Sequence, residues 1–133
     1  MTNALSYPLL LAIGVGGASG SMLRYAVSVW LSRAHGAFPM ATFFINVGGS
    51  FLIGVFARVF STPDSSPVLR AALTIGFCGG FTTFSTFSAE FVALVQEGRT
   101  LRAAAYVAAS LITGVLAVFA GLALGDRLVA PPG

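Results

Sequence analysis

Charge is what this sequence has least of: 8% of its residues are charged, the acids number four, and all seven basic residues are arginine. A water-soluble domain carries about a quarter of its residues as charges. With 56% hydrophobic residues and a mean hydropathy of +0.91, this chain is not one. Cysteine and histidine occur once each, as Cys78 and His35. A lone cysteine excludes an intrachain disulfide, and one Cys with one His is too few for a structural zinc site. Cys78 therefore reads as a small packing residue. The arginines are scattered singly, whereas a nucleic-acid surface needs them clustered, so no nucleic-acid partner is expected. No basic residue precedes the first apolar run in Met1-Thr2-Asn3-Ala4, and no cleaved signal peptide is expected.

Long apolar runs fill the space that charge leaves. Segments 9–31, 41–60, 68–96 and 103–124 are each long enough to span a bilayer, and only short loops remain between them. The chain reads as a single all-α transmembrane domain, a bundle of four helices. Ser61-Thr62-Pro63-Asp64-Ser65-Ser66-Pro67 is a turn-rich connector without visible chemistry, and Ala130-Pro131-Pro132-Gly133 reads as a disordered tail.

The third span carries the strongest anomaly. A continuous helix over 68–96 would measure roughly 44 Å against a hydrocarbon core of about 30 Å. Gly79-Gly80 is the cheapest place to bend or break it. From Thr82 to Ser88, five of seven residues carry a hydroxyl, and the other two are Phe84 and Phe87. Hydroxyls in hydrocarbon need partners, so this run does not belong on a lipid-facing helix. The expectation is two half-helices meeting at mid-membrane, broken near 79–83. Free carbonyls would end the first half and free N–H groups would begin the second. Such a hinge suits a small cation on one side and an anion on the other.

The remaining spans carry sparser signals. In the first, Gly16 and Gly20 lie four apart and let a neighbouring backbone approach closely. Gly17-Ala18-Ser19-Gly20 has the form of an intramembrane serine-protease motif, but the reaction needs a general base and His35 falls in a loop. Arg24 lies about 12 Å along the axis from the end of its span. It must snorkel, pair or line a wet vestibule where its charge concentrates anions. Glu90, the one acid within a span, is its candidate partner. In the second span Thr42, Asn46 and Ser50 form an i, i+4 stripe that Gly54 extends. Asn46 is either an interhelical clamp or a donor to a pore. In the fourth, Tyr106 and Ser110 repeat the spacing, followed by Thr113 and Gly114.

Arginine placement bears on orientation. Arg58, Arg70 and Arg127 fall on one side of the membrane, and Arg33, Arg99 and Arg102 on the other. This balance leaves the positive-inside rule little to act on. Either one or two weak cues orient the chain, or it inserts both ways and assembles as an antiparallel homodimer.

The block Gly76-Phe77-Cys78-Gly79-Gly80-Phe81-Thr82-Thr83-Phe84-Ser85-Thr86-Phe87-Ser88-Ala89-Glu90 resembles the central signature of the CrcB/Fluc fluoride channels. So do Gly16-Gly17-Ala18-Ser19-Gly20 with Arg24-Tyr25, and Asn46-Val47-Gly48-Gly49-Ser50-Phe51-Leu52-Ile53-Gly54. The resemblance spans nearly the whole chain. It implies a passive F⁻ channel of the inner (plasma) membrane, working as an antiparallel, dual-topology homodimer that relieves fluoride toxicity. It implies an anion pathway over Asn46, Phe84, Phe87, Thr42, Thr83, Thr86, Tyr106, Ser110 and Arg24. It also implies a structural Na⁺ at the dimer centre, held by the carbonyls of Gly79 and Thr82. The fourth-span track of the family has a further hydroxyl where this chain has Gly114, with Thr113 alongside.

Physical chemistry agrees with that implication. A fluoride pore must replace a tight water shell with amide and hydroxyl donors, while fixed full charges would hold the ion too firmly to release it. Phenylalanines usually just pack, but the ring edge is positive, and Phe84 and Phe87 set among hydroxyls offer edges to an anion. No nucleotide motif is visible, which fits a channel and not a pump or an enzyme. Two alternatives stand beside it: a small dual-topology multidrug-type exporter, which wants an acid in the first span, and a non-conducting membrane subunit.

Overall fold

The computed structural model describes residues 6–32 and 39–130. The first residues, Arg33, His35 and the Pro131-Pro132-Gly133 end lie outside the described residues, and so do the expectations placed on them. The elements are α1 (Tyr7–Ser32), α2 (Met40–Val59), α3 (Pro67–Ala71), a π-helical stretch (Ala72–Cys78), α4 (Gly79–Phe81), α5 (Phe84–Gln96) and α6 (Thr100–Val129). Four stretches are long and apolar enough to cross a membrane: Tyr7–Leu31, Met40–Val59, Pro67–Gln96 and Thr100–Val129. Helix is what such sequences must form in hydrocarbon, because only there does each peptide group find a partner within its own segment.

The apolar surface is turned outward. Leu11, Val15, Met22, Trp30, Leu116 and Phe119 are all exposed. Several glycines, Thr42 and Thr83 are buried inside, together with Ile45, Phe81, Leu94 and Tyr106. Helix α6 continues past both ends of the apolar run 103–124, since Arg102 and Asp126 interrupt the run and not the helix.

Glycine sets the packing. A Cβ added at Gly16 or Gly20 would run into the Ala72 and Phe77 carbonyls, and one at Gly76 would lie 2.6 Å from the Ile13 carbonyl oxygen. Helix α1 therefore lies backbone to backbone along the π-helical stretch, running parallel to it. The second seam joins α2 and α6, also in parallel. A Cβ at Gly54 would meet the Val118 carbonyl, and one at Gly121 would meet the Phe51 carbonyl. Near its end, Gly125 faces Arg58, which pairs with Asp126. Between α5 and α6 the chain reverses at Gly98, whose φ of 73° is a left-handed value glycine adopts freely. The Arg99 N–H then donates to the Leu94 carbonyl at 2.9 Å.

Candidate functional site

The site is built around two residues that leave helical geometry. Gly79 remains helical (φ −64°, ψ −37°), whereas Thr82 (φ −78°, ψ 159°) and Thr83 (φ −149°, ψ 113°) are extended. The glycine pair expected to yield is thus not where the chain leaves helix. Gly80 is occupied in close packing against the Gly17 carbonyl. Thr83 is extended because a side chain holds it there. Its N–H donates to Asn46 Oδ1 at 2.8 Å, and its carbonyl accepts from Asn46 Nδ2 at 3.0 Å. Asn46 supplies both halves of a backbone pairing, which also fixes the sense of its amide. One Nδ2 hydrogen is left over from this clamp.

That pairing has a consequence for the neighbouring carbonyls. In continuous helix the Gly79 carbonyl would accept from the Thr83 N–H and the Thr82 carbonyl from the Thr86 N–H. The first donor goes to Asn46, and the second goes to Thr83 Oγ1 at 3.2 Å, where Thr83 caps α5. Both carbonyls lose their regular helical donor. Thr83 Oγ1 also donates to Thr86 Oγ1 at 3.0 Å and lies 3.3 Å from Ser85 Oγ.

A turn further on, Glu90 is held from two sides. Thr42 Oγ1 donates to its Oε1 at 2.8 Å and the Tyr106 hydroxyl to its Oε2 at 2.7 Å. Neither of the two ion pairs among the described residues includes Arg24 or Glu90. The expected Arg24–Glu90 partnership is therefore not formed, and the carboxylate instead ties α2 and α6 to α5. Tyr106 is fully buried, and its ring lies 5.0 Å from that of Phe87. Phe87 in turn lies 5.8 Å from Phe84, which is 78% exposed on the single chain.

Two cavities meet at Thr83. The larger, about 460 Å³, is bounded by Asn46, Ser50, Thr83, Phe84, Phe87 and Ser110, and no charged residue lines it. The smaller, about 240 Å³, holds Arg24, Thr42, Thr83 and Thr86, with Arg24 the one charged group in its wall. The expected residues thus divide into a charged chamber and a neutral one, with Tyr106 behind both as a support for Glu90. Asn46 acts as a clamp in this arrangement. Sequence reasoning did not foresee Thr42 and Tyr106 converging on Glu90, nor the Ser21 hydroxyl donating to the Gly80 carbonyl at 3.3 Å. A lone acid inside a span, which must find donors, was the available signal. No group of three or more His, Cys, Asp or Glu side chains that could hold a metal occurs among the described residues.

The chain is similar to known proteins over most of its length. A family model described as "CrcB-like protein, Camphor Resistance (CrcB)" matches residues 11–122. The "Fluoride-specific ion channel FluC" of Rhizobium meliloti (strain 1021) is 50% identical over 122 residues, covering 90% of this chain and 98% of that protein. The protein of the same name from Chlorobium chlorochromatii (strain CaD3) is 46% identical, covering 85% and 88%. "Fluoride-specific ion channel FluC 2" of Bacillus subtilis (strain 168) is 45% identical, covering 88% and 87%.

Proposed function

This chain belongs to the CrcB-like protein family, and from that membership we propose that it is a passive, fluoride-selective channel exporting F⁻ from the cytoplasm across the inner (plasma) membrane. The observation that carries the reading is the pair of cavities meeting at Thr83, one charged and one lined by neutral polar groups and ring edges. Arg24 in the smaller cavity concentrates anions at a mouth. Beyond it no full charge traps the ion. Thr86, Ser110 and the remaining Asn46 N–H supply hydrogen bonds in place of water, Thr83 serves the pathway by holding Asn46 and Thr86, and Phe84 and Phe87 supply positive edges. Thr42 and Tyr106 serve the pathway through Glu90.

The third span is read as broken at mid-membrane, a reading supported by the extended Thr82 and Thr83. A single chain would present exposed Phe84, Ser85, Thr86 and Gly79 on one face of that span. Hydroxyls and open carbonyls are costly against lipid, which favours a second, antiparallel copy covering this face. The Gly79 and Thr82 carbonyls, relieved of their helical donors, suit a hard cation with oxygen ligands, and Na⁺ is the ion assigned to them. When bound it would supply fixed positive charge joining the two copies. Neither alternative gains an observation: helix α1 has Arg24 but no acid, and the relatives at 45–50% identity are named as channels.

The test is F⁻ and Cl⁻ efflux from proteoliposomes holding the full chain. Rapid F⁻ loss with Cl⁻ retained is expected. Equal loss of both, or of neither, would overturn the proposal. A C-terminal tag should be accessible from both membrane faces, and a tag confined to one face rejects the antiparallel assembly.

A further inference from the structure

Several hydroxyls inside the spans are returned to their own helix, and others, such as Ser21, Thr42 and Tyr106, are given to a neighbouring one. Ser19 donates to the Gly16 carbonyl at 2.8 Å, Thr74 to Arg70 at 2.7 Å, Ser88 to Phe84 at 2.9 Å and Thr113 to Ala109 at 2.6 Å. Hydrocarbon enforces this arrangement, since the O–H has no water to turn to. Ser110 and Ser50 depart from it. Ser110 Oγ is buried with no hydrogen-bond partner, and Ser50 Oγ makes no hydrogen bond among the described residues. Both line the larger cavity beside Asn46, Phe84 and Phe87.

The parallel register of α2 and α6 relates the two. Thr42 and Tyr106 both reach Glu90, and the same offset sets Asn46 level with Ser110 and Ser50 level with Gly114. At this third level α6 has no side chain. A Cβ added at Gly114 would stand 3.6 Å from Ser50 Oγ, an ordinary contact, so the glycine leaves the serine hydroxyl uncovered. The neighbouring hydroxyl on α6, Thr113, is given to the Ala109 carbonyl and does not line the cavity.

We propose that Ser50 is a further pathway residue, whose uncommitted hydroxyl on α2 receives the anion at the level where α6 carries Gly114. Ser110 offers the preceding donor, about 6 Å away along the helix axis. An O–H already given away cannot also be given to an ion, and of the hydroxyls lining the larger cavity Thr74, Thr82 and Thr83 donate elsewhere, which singles out these two serines. Neutral donors in succession let an ion step forward without binding tightly at either. This inference rests on the channel reading above.

F⁻ efflux from proteoliposomes of the full chain tests it with three variants. Ser50→Ala is expected to slow F⁻ about tenfold, the effect of one lost hydrogen bond to an ion. Adding Gly114→Ser to that variant restores a hydroxyl at the same level from the opposite helix, and most of the rate should return. Thr113→Ala should leave the rate unchanged. Wild-type flux together with an unaffected Ser50→Ala variant overturns the role of Ser50 alone, leaving the channel reading intact. The same holds if Gly114→Ser fails to rescue, or if Thr113→Ala is the slow variant. A wild-type protein that passes no F⁻ overturns the channel reading, and this inference with it.

Discussion

The seam between α1 and the π-helical stretch and the cleft around Thr83 are both built from short side chains, yet one closes and the other stays open. In the seam Gly16, Gly20, Gly76 and Gly80 bring backbone onto backbone, and what would have been a groove is filled by carbonyl and Cα atoms. Around Thr83 the short residues carry hydroxyls instead of hydrogens. They hold one another and the Asn46 amide at hydrogen-bond distance, and two cavities remain beside them. A missing side chain lets helices touch. A short polar one holds them in register with room and donors between them.

Gly16→Val should have the largest effect, because its branched side chain must occupy the place of the Ala72 carbonyl and the backbone cannot yield. Overpacking typically costs about 1–3 kcal/mol and here should exceed that range. The expected result is loss of folded protein on size exclusion in detergent. Gly14→Val, on the same helix with nothing within 4 Å, should leave the elution profile intact.

Next comes Asn46→Ala, which opens both bonds to Thr83 and leaves two backbone groups of a buried residue without partners. At about 1–3 kcal/mol per orphaned group, F⁻ flux should fall at least about a hundredfold, read by efflux from proteoliposomes. Asn46→Asp, keeping an acceptor for the Thr83 N–H but no donor for its carbonyl, should fall between wild type and Asn46→Ala.

Glu90→Gln should do less. One of its two oxygens becomes an NH₂, so either Thr42 or Tyr106 loses an acceptor while the other keeps one. About a tenfold drop in flux and a lowered unfolding temperature are expected. Unchanged values for both would show that the three-helix tie has no part in holding the site.

Smallest of all is Arg58→Gln. Its pairing with Asp126 is about half exposed, and such pairs contribute roughly 0–1 kcal/mol. Flux should match wild type, with at most a slight loss of thermal stability that high salt abolishes in the parent protein.

Much of the fold could be read from residues near one another in the chain. Gly16 with Gly20 announced a close helix contact because their four-residue spacing places them on one face. The hydroxyl run from Thr82 to Ser88 announced that the third span could not simply face lipid. Which residues of the 79–83 stretch leave helical geometry could not be read, because glycine's freedom marks where a bend is easy and not where another helix imposes one. Asn46, distant in sequence, draws Thr83 out of helix, and Gly80 is spent on packing. Arg24 and Glu90 illustrate the same limit. Opposite charges inside spans suggest each other, but Thr42 and Tyr106 reach the carboxylate first.

By itself, then, the sequence determined that the chain crosses a bilayer, that it does so as helices, and which short segments carry chemistry. Composition and periodicity decide those matters, and both are local. Tertiary structure alone decided which donors are committed and which are free. Thr113 is given to a carbonyl of its own helix while Ser110 is left unpaired in the cavity, and what stands opposite Ser110 is set by the register of two helices whose facing residues, such as Ser50 and Gly114, lie more than sixty apart in sequence.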